Sequence, residues 1–115
     1  MDLKYLPYIK SPKDLKNYSK KELEAISSEL REYVISTVSE IGGHLASTLG
    51  VVELNTALHY IYNAPDDKIV WDTGHQAYAH KVLTGRFESL NTIRKYKGLN
   101  PFLKQSESKY DVFGA

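Results

Sequence analysis

The sequence contains no cysteine among its 115 residues, and this absence excludes two kinds of site. Disulfide bonds cannot form, and thiolate ligands for zinc or iron–sulfur clusters are missing. The chain also lacks an apolar run of the ~18 residues needed for a membrane span, and its N-terminus has no apolar stretch of signal-peptide length. These features predict a soluble, cytoplasmic protein that does not bind membranes.

An excess of one charge sign is also missing, because 15 basic residues oppose 14 acidic residues and leave a formal net charge of +1. A protein that binds nucleic acid usually carries a basic patch, so no nucleic-acid partner is expected. Apolar residues make up 42% of the chain and charged residues 25%, which is typical of a folded domain. The length suits one small domain.

The first 18 residues form an N-terminal segment in this prediction. Residues 1–10 mix Tyr, Leu and Pro without a period and are expected to form an extended arm. Ser11 then supplies an N-cap and Pro12 occupies the first helical position, so a one-turn helix to about Asn17 is predicted. Residues 19–115 form the remaining unit.

Two longer helices are predicted next. The capping box Ser19-Lys20-Lys21-Glu22 precedes apolar residues at helical spacing, which predicts a helix over about 20–39 with its glutamates mostly facing solvent. In residues 47–62 the apolar residues cover nearly every helical face, so this helix is expected to be buried between layers. His59 lies within it and is interpreted as a core imidazole that is hydrogen-bonded to the backbone.

The stretch "KIVWD" at 68–72 combines β-branched and aromatic residues, which predicts a short buried parallel strand. Helix, turn and strand together indicate an α/β layer architecture, and the sheet is expected to be incomplete because one strand is not stable alone. Short helices, each ended by a glycine, are predicted at 80–83 and 90–96. The chain stops at "YDVFGA" without a cap or polar tail, so a cut chain is expected.

Two histidines, His44 and His75, lie where ligands can bind. His44 follows Gly42-Gly43, and the residues leave open whether its imidazole belongs to a helix cap or contacts an anion at the next helix. His75 follows the predicted strand, and ligands bind beyond the carboxyl ends of strands in open parallel sheets. A polar ligand contact from His75 is one interpretation, and an ordinary turn residue is the other.

Metal ligation by His75 and His80 is not expected. A zinc site on a helix uses histidines four residues apart and further ligands, whereas these two are five apart and the first is expected in a loop. We interpret His80, which precedes Lys81, as structural. The small basic cluster at 94–97 is interpreted as a solvated helix face, since the whole chain is close to neutral.

Longer stretches carry a family resemblance. The segments "GGHLASTLGVVELNTALHYIYNAPDDKIVWDTGHQAYAHKVLTGR", "TIRKYKGL" and "SESKYDVFGA" resemble, in this order, the N-terminal region of the 1-deoxy-D-xylulose 5-phosphate synthase family of the transketolase superfamily. The resemblance runs from about Ser11 to the last residue. It implies, for residues 19–115, the N-terminal part of a thiamine-diphosphate-binding domain, mostly helical with at least one parallel strand. Another transketolase-type enzyme, or a non-catalytic interaction module derived from the synthase, is the alternative.

The resemblance also implies an activity and its residues. Pyruvate would condense with glyceraldehyde 3-phosphate to give 1-deoxy-D-xylulose 5-phosphate and carbon dioxide, for isoprenoid, thiamine and pyridoxal biosynthesis. Thiamine diphosphate would supply the electron sink, while the protein supplies orientation and proton transfers. His44 in "GGHLAS" matches the active-site histidine proposed to handle substrate and protons, a role that suits an imidazole near neutral pH. His75 in "DTGHQAY" matches the histidine at the cofactor, and His80 matches a family histidine without an assigned role.

Two residues depart from the family pattern. Ala79 stands where a proline is usual and is expected to loosen a turn, and Lys97 stands where a second glycine is common, so a differently shaped loop is expected. The Gly-Asp-Gly motif that would hold Mg²⁺ is expected beyond this chain, so no metal ligand is assigned within it. The full-length parent is expected to be a homodimer. The isolated chain is expected to be inactive, and marginally stable or prone to aggregation.

Overall fold

The computed structural model of the chain describes residues 2–38, 49–71, 74–93 and 95–112, with only the backbone described at 74 and 75. Three α-helices organise these residues, namely α1 (Lys20–Thr37), α2 (Val52–Ile61) and α3 (Gly74–Lys81). Short 3₁₀ helices occur at Leu6–Tyr8, Pro12–Asn17 and Leu90–Thr92, and a kinked π-type segment, Val82–Arg86, follows α3. None of the helices among the described residues is long and apolar enough to cross a membrane.

Helix α1 begins at the capping box expected from the sequence. The N–H of Glu22 donates to the Ser19 hydroxyl at 3.2 Å, and the N–H of Ser19 donates to the Glu22 carboxylate at 2.9 Å. These two bonds satisfy backbone donors that have no partner inside the helix. The buried stripe of α1, with Ile26, Leu30 and Val34 one turn apart, faces the main core. The predicted helix over 20–39 is therefore confirmed, with its end at Thr37.

The N-terminal arm is held to α1 by one carboxylate. Glu29 accepts hydrogen bonds from the backbone N–H groups of Lys4, Tyr5 and Leu6, at distances of 3.0 to 3.2 Å. Leu6 enters the main core, and the backbone around it forms a 3₁₀ turn. The expectation of an extended arm over residues 1–10 was wrong in this respect, because a buried leucine and a carboxylate on a neighbouring helix fold the arm back onto α1.

Helix α2 is buried on its polar side. Asn55, Thr56 and His59 are buried, whereas Leu54 is 49% exposed and Ile61 is 62% exposed. The buried side packs against α1, α3 and the 3₁₀ helix at Pro12–Asn17. The expectation that α2 is buried between layers was wrong for the described residues, since they cover only one side of the helix. The predicted range also began earlier, at 47, and residues 47–48 lie outside the described part.

The strand predicted at 68–72 is not present among the described residues, which include 68–71 of this stretch. Segment 68–71 has no regular secondary structure, and its backbone makes no hydrogen bond to any described segment. A strand needs a neighbour along its edge, and no described segment lies there. The buried character was predicted correctly in part, because Ile69 and Trp71 are each 8% exposed while Val70 is 52% exposed. This alternation is the period of a β-strand.

Helix α3 starts six residues earlier than predicted. It begins at Gly74 rather than at His80, so Ala79 lies inside the helix and not in a turn. An alanine there keeps the helical N–H that a proline would remove, so the expected loosening of a turn does not occur. The helical path ends at Gly85, whose φ of 104° is the left-handed conformation that favours glycine.

The predicted helix over 90–96 is reduced to the 3₁₀ turn Leu90–Thr92. After it, the chain turns at Lys97, which has a φ of 59°, and at Gly98, where a Cβ atom would overlap the carbonyl oxygen of Thr92. The unusual loop expected at Lys97 is thus a left-handed backbone at a non-glycine residue. The side chains of Lys95, Tyr96 and Lys97 are exposed, as expected for a solvated surface.

Candidate functional site

The two histidines predicted to act in a site are placed to different extents. His44 lies within residues 39–48, outside the described part of the chain. His75 is the second residue of α3, so its backbone is placed in the first turn of this helix, while its side chain is outside the description. The structure therefore does not test whether the two imidazoles face one another. It does show how the helix that carries His75 is held.

Helix α2 holds α3 through two polar side chains that lie one turn apart. The Asn55 amide donates to the backbone carbonyl of Gln76 at 3.3 Å, at the start of α3. One turn later, Nε2 of His59 lies 2.9 Å from Nδ1 of His80, near the end of α3. Asn55, His59 and His80 are completely buried. The polar side of α2 thus faces inward because α3 presents polar groups opposite it.

The hydrogen bonds around the two imidazoles determine where their protons lie. Nε2 of His80 faces two acceptors, the carbonyl oxygen of Tyr110 at 3.1 Å and a carboxylate oxygen of Asp111 at 3.2 Å, so this nitrogen carries the proton. Nδ1 of a neutral His80 is then an acceptor, and His59 must donate to it from Nε2. Nδ1 of His59 has no hydrogen-bond partner among the described residues, which fits an unprotonated nitrogen.

Four charged side chains form a network that reaches His80 through Asp111, and we call them the buried ion cluster: Lys81, Arg86, Glu107 and Asp111. Arg86 binds Asp111 in a bidentate manner, with N–O distances of 2.7 and 2.8 Å. Both Arg86 and Lys81 donate to the same oxygen of Glu107 at 2.6 Å. Two positive and two negative charges balance, so the cluster carries no net charge.

Burial and hydrogen bonding shift the pKa values of these groups. Burial lowers the pKa of His59 to about 3, and the neighbouring His80 and Lys16 act in the same direction. The pKa of His80 is also lowered, because burial outweighs the opposing effect of Asp111. For Asp111, burial alone would raise the pKa, but the bonds from Arg86 and His80 lower it well below its usual range. Both imidazoles are therefore neutral and Asp111 is ionised near pH 7.

The buried ion cluster fixes the C-terminal segment to α3 and Arg86. The backbone N–H of Lys104 donates to Asp111 at 3.0 Å, and the N–H of Asn100 donates to Glu107 at 2.9 Å. Because the carboxylates are already bonded to cations and backbone groups, they have little capacity to bind a substrate. Within the described ranges, no group of three or more His, Asp or Glu side chains is arranged to hold a metal ion.

The sequence did not indicate this network. Arg86 and Glu107 are 21 residues apart, and His80 and Asp111 are 31 residues apart, so no local spacing links them. The structural interpretation of His80 is confirmed, since it is a buried, fully bonded side chain. His59 is a core imidazole as predicted, but its described partner is His80 and not the backbone. The sequence feature that could have indicated the network is a histidine, a lysine and an arginine close together in a mostly apolar stretch.

The start of α3 is chemically suited to a phosphate group. The first N–H groups of a helix have no intrahelical acceptor, and the helix dipole favours negative charge at this end. His75 lies in this first turn, four residues after the end of segment 68–71. The backbone N–H groups at the start of α3 thus fit the diphosphate end of a cofactor.

Two comparisons with known proteins bear on this site. A family described as 1-deoxy-D-xylulose-5-phosphate synthase matches residues 6–115. Proteins named 1-deoxy-D-xylulose-5-phosphate synthase from Syntrophotalea carbinolica and Cupriavidus pinatubonensis are 57% and 52% identical to this chain, over 94% and 95% of its length. A third, from Dictyoglomus turgidum, is 56% identical over 94% of it. The chain spans only 17 to 18% of the length of these relatives.

Proposed function

Because this chain belongs to the 1-deoxy-D-xylulose-5-phosphate synthase family, we propose that it is the N-terminal part of a thiamine-diphosphate-dependent transferase. The parent enzyme condenses pyruvate with glyceraldehyde 3-phosphate and releases carbon dioxide, which yields 1-deoxy-D-xylulose 5-phosphate for isoprenoid, thiamine and pyridoxal biosynthesis. The observation that carries this proposal is the family match over residues 6–115 together with identities of 52 to 57%. The parent is a cytoplasmic homodimer in this proposal.

The chain supplies two residues of the active site. His75, at the start of α3, contacts the diphosphate of the cofactor, where the helix dipole adds to its effect. His44 moves protons to and from the substrate, a role for which imidazole is the usual side chain. Thiamine diphosphate supplies the electron sink for decarboxylation. Its Mg²⁺ ligands come from the part of the parent that is not in this chain.

The fold is an α/β domain that this chain completes only in part. Segment 68–71 becomes a strand of a parallel sheet when the rest of the parent supplies a neighbour. Its alternating burial supports this assignment, and so does its backbone, which is unpaired among the described residues. The same added layers cover the exposed apolar side chains of α2, such as Leu54 and Ile61.

The test uses the complete reading frame that contains this sequence. Continuation past Ala115 into Gly-His-Ser and then Gly-Asp-Gly is expected, and the purified product should release carbon dioxide from pyruvate only with glyceraldehyde 3-phosphate, thiamine diphosphate and Mg²⁺. Loss of the His44 imidazole in His44→Ala should lower kcat by about 10²- to 10⁴-fold. His75→Ala should mainly raise the KM for thiamine diphosphate. Tyr96→Ala, at an exposed loop residue, is the control.

Two results would contradict the proposal. Synthesis of 1-deoxy-D-xylulose 5-phosphate by the isolated 115-residue chain would show that the active site is complete without the remaining domains. Two-carbon transfer between sugar phosphates by the full-length protein, without release of carbon dioxide from pyruvate, would assign the parent to transketolase itself.

A further inference from the structure

Helix α2 has an unusual distribution of side chains. Its buried side carries Asn55 and His59, while aliphatic Leu54 and Ile61 face outward. Burying polar groups is costly unless they are well paired, so an apolar pair would fill the interface with α3 at lower cost. Both buried side chains do find partners on α3, the Gln76 carbonyl and His80. Polar contacts in this place fix geometry more narrowly than apolar contacts do.

The two contacts together determine the position of α3 relative to α2. Gln76 and His80 are four residues apart, so the bonds are about 6 Å apart along the helix axis. A single bond would leave α3 free to pivot, whereas two bonds from one rigid helix restrict both its rotation and its sliding. On the opposite side, Nε2 of His80 donates to the Tyr110 carbonyl and to Asp111, so α3 is also held from the C-terminal segment.

We propose that Asn55 and His59 are positioning residues for His75, because they fix both ends of the helix that carries it to α2. Asn55 binds the carbonyl of Gln76, the residue directly after His75, at 3.3 Å. His59 binds His80, five residues after His75, at 2.9 Å. This inference rests on the proposed function of His75 as the cofactor-binding residue. Displacement of a binding group by about 1 Å is enough to lower a rate by about 10²-fold.

The test compares variants of the full-length protein that differ only in the contact to α3. His59→Leu removes the donor to His80, whereas His59→Gln places an amide N–H near the position of Nε2. His59→Leu is expected to raise the KM for thiamine diphosphate by about tenfold or more, and His59→Gln to restore it to within about threefold of wild type. Asn55→Leu should raise the same KM without a direct effect on kcat for saturated enzyme.

Thr56→Val is the matched control. Thr56 lies next to Asn55 on α2 and is also buried, but its hydroxyl accepts from Ser27 of α1 at 3.0 Å and makes no hydrogen bond to the described residues of α3. Its replacement should lower thermal stability as a lost buried hydrogen bond does, and it should leave the KM for thiamine diphosphate unchanged. A purely structural role for His59 would give the same pattern as Thr56→Val.

A second measurement does not depend on activity or on a variant that folds. ¹⁵N NMR of the full-length protein with labelled histidine rings reports this contact directly. Coupling across a hydrogen bond between Nε2 of His59 and Nδ1 of His80 supports the inference; absence of this coupling in the folded protein overturns it. Unchanged KM values in folded His59→Leu and Asn55→Leu would also overturn it. Absence of synthase activity in the wild-type protein would instead refute the proposed function.

Discussion

Nε2 of His59 lies 2.9 Å from Nδ1 of His80, and both imidazoles are completely buried. One proton occupies this contact, and it belongs to His59, because Nε2 of His80 is bonded to acceptors on the other side. Asp111 and Arg86 face His80 together, while Lys16 is the charged group that acts on His59. An additional proton on His59 would therefore add a buried positive charge without an acidic partner among these groups.

The stability of the chain should fall as the pH decreases from about 6.5. The pKa of His59 is lowered to about 3 in the fold, and that of His80 is lowered as well. Between the unfolded and folded pKa values, the unfolded chain binds more protons, so acid favours unfolding. Each histidine contributes a slope of up to about 1.4 kcal/mol per pH unit in this window. Urea denaturation at pH 7.0, 6.0 and 5.0 measures this change.

The His59→Gln variant is the control for the pH dependence. A glutamine does not titrate, so the slope of stability against pH between about 6.5 and 5 should decrease, and proton uptake on unfolding should fall by up to one. Asp111 acts in a lower pH range. Its pKa is lowered in the fold, so the ionised carboxylate stabilises the chain above its unfolded pKa, and this stabilisation is lost as the pH falls toward the folded pKa. An equal slope in the wild-type and His59→Gln chains would contradict the assignment of this pH dependence to His59.

Removal of Arg86 should destabilise the chain much more than removal of an exposed arginine. Arg86→Met leaves Asp111 buried without its bidentate partner, and breaking such a pair typically costs about 3–5 kcal/mol. Arg31→Met breaks the more exposed pair with Glu53 and should cost less than about 1 kcal/mol. Chemical denaturation of both variants makes the comparison. Similar losses for the two would mean that the buried ion cluster is screened by solvent.

Lys97→Gly should stabilise the chain. The φ of 59° at Lys97 costs a non-glycine residue about 1–2 kcal/mol, and glycine adopts this conformation without that cost. Greater freedom of glycine in the unfolded state offsets part of the gain, so an increase of about 0.5–1 kcal/mol is expected. Lys95→Gly at a nearby exposed residue has no positive φ to relieve and should be destabilising. A lower melting temperature for Lys97→Gly would disprove the explanation.

Gly98→Ala should destabilise the chain, whereas Gly50→Ala should not. A Cβ atom at position 98 would overlap the backbone carbonyl of Thr92, which cannot move aside as a flexible side chain would, whereas no atom lies within 4 Å of a Cβ at position 50. We expect a loss of about 2 kcal/mol or more for Gly98→Ala. Gly50→Ala should be neutral or stabilising by up to about 1 kcal/mol, because residue 50 is helical. Thermal denaturation of the two variants distinguishes these outcomes.

The exposed aliphatic side chains of α2 should make the isolated chain associate. Replacing both in Leu54→Lys/Ile61→Lys should reduce light scattering while changing stability little, since exposed substitutions are usually within about 0.5 kcal/mol each. In the full-length parent the same double change should be strongly destabilising, because added layers would bury the two lysines. Tyr96→Lys, at a 92% exposed residue, is the control for added charge. Equal effects on stability in the isolated chain and the full-length parent would argue against the layers that are proposed to cover α2.

The sequence predicted the parts of the fold that depend on neighbouring residues. The bonds of the capping box at Ser19 and the apolar stripe of α1 arise within a few turns of one chain segment, so their pattern can be read directly. The prediction of burial failed at α2, because apolar residues there are buried only if another layer covers them. The prediction of where α3 starts also failed. The helix starts at Gly74, directly after Asp72 and Thr73, and Thr73 with Gln76 has the spacing of a capping box that the prediction placed in a loop.

The sequence by itself determined the family of this protein, because a long ordered set of segments is specific even without structure. It also predicted that His44 and His75 match active-site histidines, and the described residues leave this prediction untested. Only the tertiary structure decided the role of His59, since its partner His80 is 21 residues away along the chain. The same holds for Arg86 and Asp111, because burial and pairing of charges depend on which segments meet in space and not on spacing in the sequence.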